Sequence, residues 1–383
     1  MAMTTAGKTD KVSVLVGTTK GAFFFHSDAG RRNWELTGPH LDGWEIYSLL
    51  GQSGNTNGHS GSGSNGHDRI FAGTSHFVYG PTIRVSEDMG ETWTQVEASP
   101  RYGEESGFKL NRIWQIVPGH RTQPGTLYAG VDEAGLFASH NDGTTWEEVT
   151  GLSRHHTRSE WGPGNGGLCL HTILVDPTNA QRMWIGISAV GVFRTDDGGL
   201  TWKVCNNGLP QGPTGVRNQE VGRCVHKIVL DPADANTLYC QFHGGVFKST
   251  DAADSWQPIE TGLPGNFGFP MGVTANGDLF VIPLESDMQR HVKDGRLLVY
   301  RSRDGGESWA PAGRGLPEQP QYVGVLRDAL AVDSLNPAGI YFGTSMGEVF
   351  YSPDAGENWD RLPGQFPRIT MIKAWVRDGE ESA

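Results

Sequence analysis

Histidine, arginine and aspartate side chains recur at one place in a set of strand-like segments. These segments begin near Asn111, Leu168, Cys224, Met271 and Val325, and they end in turns of the kind seen at Asp176-Pro177 and Asp231-Pro232. Aligned on those turns, Arg112, His171, His226, Met271 and Asp328 share a single slot. Strand starts commonly take apolar residues, so this run of ionisable groups is a chemical signal. Imidazole takes or gives a proton near neutral pH. Guanidinium holds a carboxylate by a two-pronged contact. The combination suits cleavage of an acidic sugar, or another small carboxylated substrate, by hydrolysis or β-elimination. His171 and His226 are the acid/base candidates, Arg112 and Arg327 the carboxylate holders, and Asp328 and Glu285 the acidic partners. A neutral glycoside would call for two facing carboxylates. Glu45, Glu220, Glu285 and Asp328 are the candidates for that pair.

Polar residues also gather in the loops beside these segments. One set reads Arg154-His155-His156-Thr157-Arg158-Ser159-Glu160-Trp161 and Arg217-Asn218-Gln219-Glu220-Val221-Gly222-Arg223. The other holds His76, Glu133, His243 and Glu285-Ser286-Asp287. From these come further substrate-binding candidates: Glu45, His76, Trp161, Glu220 and His243, beside Arg112 and Arg327. Cys169-Leu170-His171 and Cys224-Val225-His226 place a thiol and an imidazole on one face of each strand. Two such pairs on neighbouring units could offer four zinc ligands. No short Cys-x-x-Cys knuckle accompanies them, so the plainer expectation is buried free thiols and no cofactor.

Side chains so far apart in the chain meet only if the fold brings each unit back to a common centre. An eight-residue turn recurs at Ser86–Trp93, Ser139–Trp146, Thr195–Trp202, Ser249–Trp256, Ser302–Trp309 and Ser352–Trp359, with a degenerate copy at Ser27–Trp34. The six regular tryptophans fall 50 to 56 residues apart. Each unit carries short strands bounded by Gly, Pro and Asp, the grammar of a four-stranded antiparallel meander. A period near fifty with such units predicts radial repetition, an all-β propeller. The segment Ile369–Val376 has no turn motif after it, and Lys11–Trp34 has no inner strand before it. Joined, they complete a seventh blade and leave no open edge. The expectation is one propeller domain over residues 1–383, closed by the C-terminal strand. Loops over the axis, where inner strands begin, would carry the ligand site.

The turn resembles the Asp-box, or BNR, repeat: Ser-x-Asp-x-Gly-x-Thr-Trp. The resemblance implies a structural role for Asp88, Asp197, Asp304 and Asp354, on outer turns away from the ligand. It reads Asn141-Asp142 as a displaced acid and Asp254 as standing in the glycine place. Families with this repeat include sialidases, xyloglucan-active glycosidases, polysaccharide lyases, sortilin-type receptors and photosystem assembly factors. The sialidase arginine triad and tyrosine nucleophile find no counterparts here. The resemblance implies a carbohydrate-active enzyme, glycoside hydrolase or lyase. Its alternative is a non-catalytic module that grips a peptide or protein.

Composition narrows the partners. The formal charge is −12, and no basic stripe offers itself to phosphates, so a nucleic-acid partner is not expected. No uncharged apolar run reaches the roughly 20 residues that span a bilayer. The N-terminal segment lacks a charged-then-apolar signal pattern, which predicts a cytoplasmic protein. Residues 51–68 are polar and of low complexity, and are expected to form a flexible insertion between two strands.

Overall fold

Apolar residues at strand spacing build seven sheets, each of four antiparallel strands. The computed structural model describes residues 10–54, 67–212 and 218–378. Blade one is Lys11–Thr18, Gly21–Asp28 and Glu35–His40, with Ile369–Arg377 as its innermost strand. The inner strands of blades two to seven are Glu45–Gln52, Arg112–Pro118, Leu170–Val175, Val225–Leu230, Gly268–Val273 and Leu330–Val332. Each touches the next around the axis, and Ile369–Arg377 touches both Glu45–Gln52 and Leu330–Val332. The ring is therefore closed by the last strand, as the sequence predicts. It runs antiparallel to the first, from Lys11 opposite Arg377 to Thr18 opposite Ile369.

The repeated turns knit this wheel. In the Ser86 copy the hydroxyl donates to Asp88 Oδ1 at 2.8 Å and accepts the Gly90 amide at 2.8 Å. Asp88 in turn accepts the amide and hydroxyl of Thr92 at 2.9 and 2.5 Å. The Trp256, Trp309 and Trp359 indoles donate to carbonyls of the preceding blade, at Cys205, Ile259 and Ala312. Two variant copies differ from the sequence expectation. Asn141 itself fills the aspartate place, accepting Ser139 Oγ at 2.9 Å and the Thr145 amide at 3.0 Å. Its amide group has the same reach as a carboxylate, so no acid is displaced. Ala253, not Asp254, holds the glycine place, at φ 70°. Asp254 instead bonds Arg194 and Lys203 of the preceding blade, at 2.8 and 2.7 Å.

The seam has its own staple. Arg31 is buried and donates to both Asp333 oxygens, at 2.8 and 3.0 Å. It also donates to the Pro353 and Pro337 carbonyls. Blade-to-blade packing is close enough to need glycine. A Cβ on Gly130 would lie 2.5 Å from the Leu170 carbonyl oxygen of the next blade.

Inner strands two to five carry a bulge near their start, where Tyr47, Trp114, His171 and His226 are the extra residues. The sixth has its irregularity between Gly268 and Met271. A bulge adds one residue against none on the partner and re-aims the side chain. This shifts the slot read from sequence. Trp114, not Arg112, stands level with His171 and His226, and Arg112 pairs with Asp132 before the bulge. Gly51 and Gln52 of the low-complexity stretch end strand Glu45–Gln52, strand Arg69–His76 begins just after the stretch, and positions 55–66 lie outside the described residues. Among the described residues, no helix is long and apolar enough to cross a membrane.

Candidate functional site

The starts of the inner strands enclose a cavity of about 480 Å³ on the axis. This is the size of a small-ligand site. The bulges aim Tyr47, Trp114 and His226 into it, and Phe269 joins them. Tyr47 and Trp114 meet edge to face, with ring centroids 4.9 Å apart. Tyr47 and Trp114 also border a second chamber of about 230 Å³ farther along the axis.

The upper cavity is cationic in an acidic protein. Arg290, Arg327 and Arg368 border it, against Asp287 as its one carboxylate among the described residues. Arg327 is 9 % exposed. Its guanidinium lies 5.5 Å over Trp114 and donates to Cys169 Sγ at 3.2 Å. Among the described residues no carboxylate forms an ion pair with it. A buried guanidinium without an anion is costly unless a ligand supplies one.

Two imidazoles complete the cavity wall. His226 donates Nδ1–H to the Gly268 carbonyl at 2.6 Å, so its Nε2 lone pair is the acceptor in the 3.6 Å contact with the Cys224 thiol. Burial pushes its pKa down to about 3, and the nearby Arg327 charge adds to this. His243 borders the cavity too, with Nε2 3.8 Å from Asp287. Desolvation lowers its pKa, and the Arg290 charge acts in the same direction while Asp287 opposes it. Both rings are thus neutral at neutral pH.

Of the candidates read from sequence, His226, His243 and Arg327 come together here. His171 lines neither chamber and is fully buried, its Nε2 donating to the Val225 carbonyl and its Nδ1 accepting from Thr172. Asp328 and Met271 line the lower chamber, where Lys227 bonds Asp328 at 2.5 Å. Arg112 and Glu45 sit beside each other at 3.9 Å, with Arg112 also 3.5 Å from Asp132. His76 stacks among Trp44, Phe77 and Tyr79. Trp161 is buried against Phe193 and Arg158, and donates to Thr157. Glu220 bonds His156 at 2.8 Å on the surface. Glu285 bonds Lys293 at 2.7 Å, and that contact lowers its pKa. Arg217 lies outside the described residues. The zinc pattern also changes: Cys224 and His226 group with His243 of their own blade, while Cys169 faces Arg327.

Sequence reading missed the aromatic lining and two arginines. Tyr47, Trp114 and Phe269 look like core residues of apolar strands. The signal is a large ring at the same bulged place in successive strands. Arg290 and Arg368 lie on loops whose approach to the axis is a tertiary property.

Comparison with known proteins places the fold. No family model matches the chain. A xyloglucanase of Hypocrea jecorina is 24% identical over 290 residues, 72% of this chain and 29% of that protein. A Paenibacillus xyloglucanase is 26% identical over 259 residues, 59% of this chain and 23% of that protein. The chain thus spans less than a third of these curated relatives. The crystal structure of a GH74 xyloglucanase from Xanthomonas campestris superposes with a TM-score of 0.60 at 16% identity, covering 96% of this chain and 52% of that one. YCF48 bound to D1 peptide gives 0.51 at 13% identity and covers 97% of both chains. The protein is a seven-bladed propeller related in fold to the GH74 xyloglucanases.

Proposed function

We propose that this propeller is a carbohydrate-active protein whose axial cavity takes a small acidic saccharide. The observation that carries this reading is Arg327, a buried guanidinium that faces the cavity against a thiol and an indole and, among the described residues, is paired with no carboxylate. A uronate carboxylate would meet it by the two-pronged contact, with Arg290 and Arg368 adding charge. Trp114 and Tyr47 offer flat faces to a sugar ring. The eight-residue turns, read as Asp-boxes, serve the scaffold.

Hydrolysis by the usual route needs two facing carboxylates. Asp287 alone borders the upper cavity among the described residues, while Asp328 belongs to the lower chamber. Elimination has other needs. Neutralising the carboxylate acidifies the neighbouring C–H, a neutral base takes that proton, and the β-oxygen leaves with its electron pair as the C=C bond forms. The lone pairs of His226 and His243 are the bases this cavity offers.

The test is calorimetric titration with uronic acids, short uronate oligomers and neutral xyloglucan fragments, with ultraviolet absorbance recording any new C=C bond. Binding of uronates over neutral sugars, lost in Arg327→Met, is the expected result. Equal binding of neutral sugars, unchanged in that variant, overturns the reading.

A second reading, a module that grips a peptide carboxylate, is favoured by one observation. Phe77 and Tyr79 are 94% and 73% exposed in the turn between strands Arg69–His76 and Gly80–Ser86, on the cavity face. Capture of a C-terminal peptide without turnover of any saccharide would favour it.

A further inference from the structure

Cys224 lies just before the fifth blade's inner strand, Val225–Leu230, and His226 is the bulged residue near its start, and both border the axial cavity. His243 comes from the turn between that blade's second and third strands, Leu238–Phe242 and Gly245–Ser249. Its amide donates to the Cys224 carbonyl at 3.0 Å, which fixes the turn against the strand. One ligand atom from each residue lies within 4.8 Å of the other two. The Cys224 Sγ to His226 Nε2 separation is 3.6 Å. Zinc–sulfur and zinc–nitrogen bonds of usual length, at a tetrahedral angle, put those atoms roughly 3.6 Å apart.

The surroundings match a ligand set as well. The His226 Nδ1–H bond to the Gly268 carbonyl is the outer contact that orients a metal-binding imidazole and fixes its tautomer. Phe267 and Phe269 hold the ring from two sides, with centroids 5.4 and 4.7 Å away. All three ligands border the axial cavity.

We propose that Cys224 Sγ, His226 Nε2 and an imidazole nitrogen of His243 form a three-ligand site for a zinc-like divalent ion, open toward the axial cavity. Binding replaces the thiol proton, which leaves to solvent, and the thiolate cancels one of the ion's two charges. The remaining charge, beside Arg290 and Arg327, selects an anionic fourth ligand. That last step rests on the acidic-saccharide reading, and the metal site does not. With the ion bound, the imidazole lone pairs hold metal, and they are no longer free as proton acceptors.

The test uses the full chain, stripped with a chelator and titrated with cobalt(II). One equivalent should bind, with a sulfur-to-cobalt charge-transfer band and the strong visible bands of a four-coordinate ion. Zinc should displace it. Cys224→Ser should abolish the charge-transfer band. His243→Ala should weaken binding at least about 100-fold, the upper end for loss of an outer-shell partner alone. Near-ultraviolet circular dichroism checks that both variants fold. The proposal is overturned by substoichiometric binding, by a band unchanged in Cys224→Ser, or by binding that disappears instead when His59 and His67, the two histidines of the low-complexity stretch 51–68, are both replaced by alanine. Uronate binding by the stripped protein is measured separately. If it binds uronate but no metal, the metal site alone falls. If it binds cobalt as expected and no uronate in either form, the metal site stands and the saccharide reading falls.

Discussion

Two buried arginines carry opposite lessons. Arg31, at the seam between the first and seventh blades, meets both Asp333 oxygens and two backbone carbonyls. Arg327, at the axis, meets a thiol and the face of an indole. One is a completed contact that holds the wheel shut. The other has no carboxylate partner among the described residues, and under the proposed function its counterpart is the ligand. On the proposed function, stability and ligand binding would be separable in this protein at the level of one residue type.

The largest effect should come from opening the completed contact. Arg31→Ala leaves Asp333 buried beside Tyr341 without its cation, and should cost about 3–5 kcal/mol in chemical denaturation. A loss below about 1 kcal/mol would erase the contrast with Arg327. Arg327→Met should do the reverse. Its melting temperature should hold or rise, because an unpaired buried charge is removed, while uronate affinity should fall by about 2–5 kcal/mol. Calorimetry on one preparation reads both quantities.

Acid should strip the outer turns next. Asp88 and Asp304 have pKa values lowered to about 2, the first mainly by the Thr92 hydroxyl and the second by Ser302. An aspartate in the unfolded chain titrates near about 3.9. The folded state thus binds fewer protons between these values. The stability these groups contribute is full above about pH 4 and is lost as pH falls toward about 2. Thermal melts from neutral pH to about pH 2 should drop across that window, with a shallower drop in an Asp88→Asn, Asp304→Asn variant. The smallest effect belongs to Asn141→Asp, which restores the common residue in a turn whose hydrogen bonds are already made. Its stability should change by no more than about 0.5 kcal/mol.

Much of the wheel was legible because its cause is local. A tryptophan every fifty-odd residues, and a last strand lacking its turn, are facts of spacing, and they imply both blade count and closure. The site was legible only in part. Arg327, His226 and His243 betrayed themselves as ionisable groups near strand starts. Trp114 did not, because a bulge moves it into the place that simple alternation gives to Arg112. Asp328 follows Arg327 directly, yet the two face different chambers, since both sit in the turn closed by the Ala329 amide on the Leu326 carbonyl, just before strand Leu330–Val332. Arg290 and Arg368 reach the cavity through loop paths that no pattern of residues encodes. The reading of the turn misled in detail, as Asn141 and Ala253 show, because side-chain reach and backbone angle matter there more than residue name.

The strand that shuts the ring is also the one synthesised after every other blade. Arg368 and Thr370, at its start, form part of the cavity wall. During translation the pocket thus stays unfinished until the ribosome has delivered the first blade's missing innermost strand. A chain truncated before Arg368 would present six complete sheets, one sheet of three strands, and a cavity wall lacking Arg368 and Thr370.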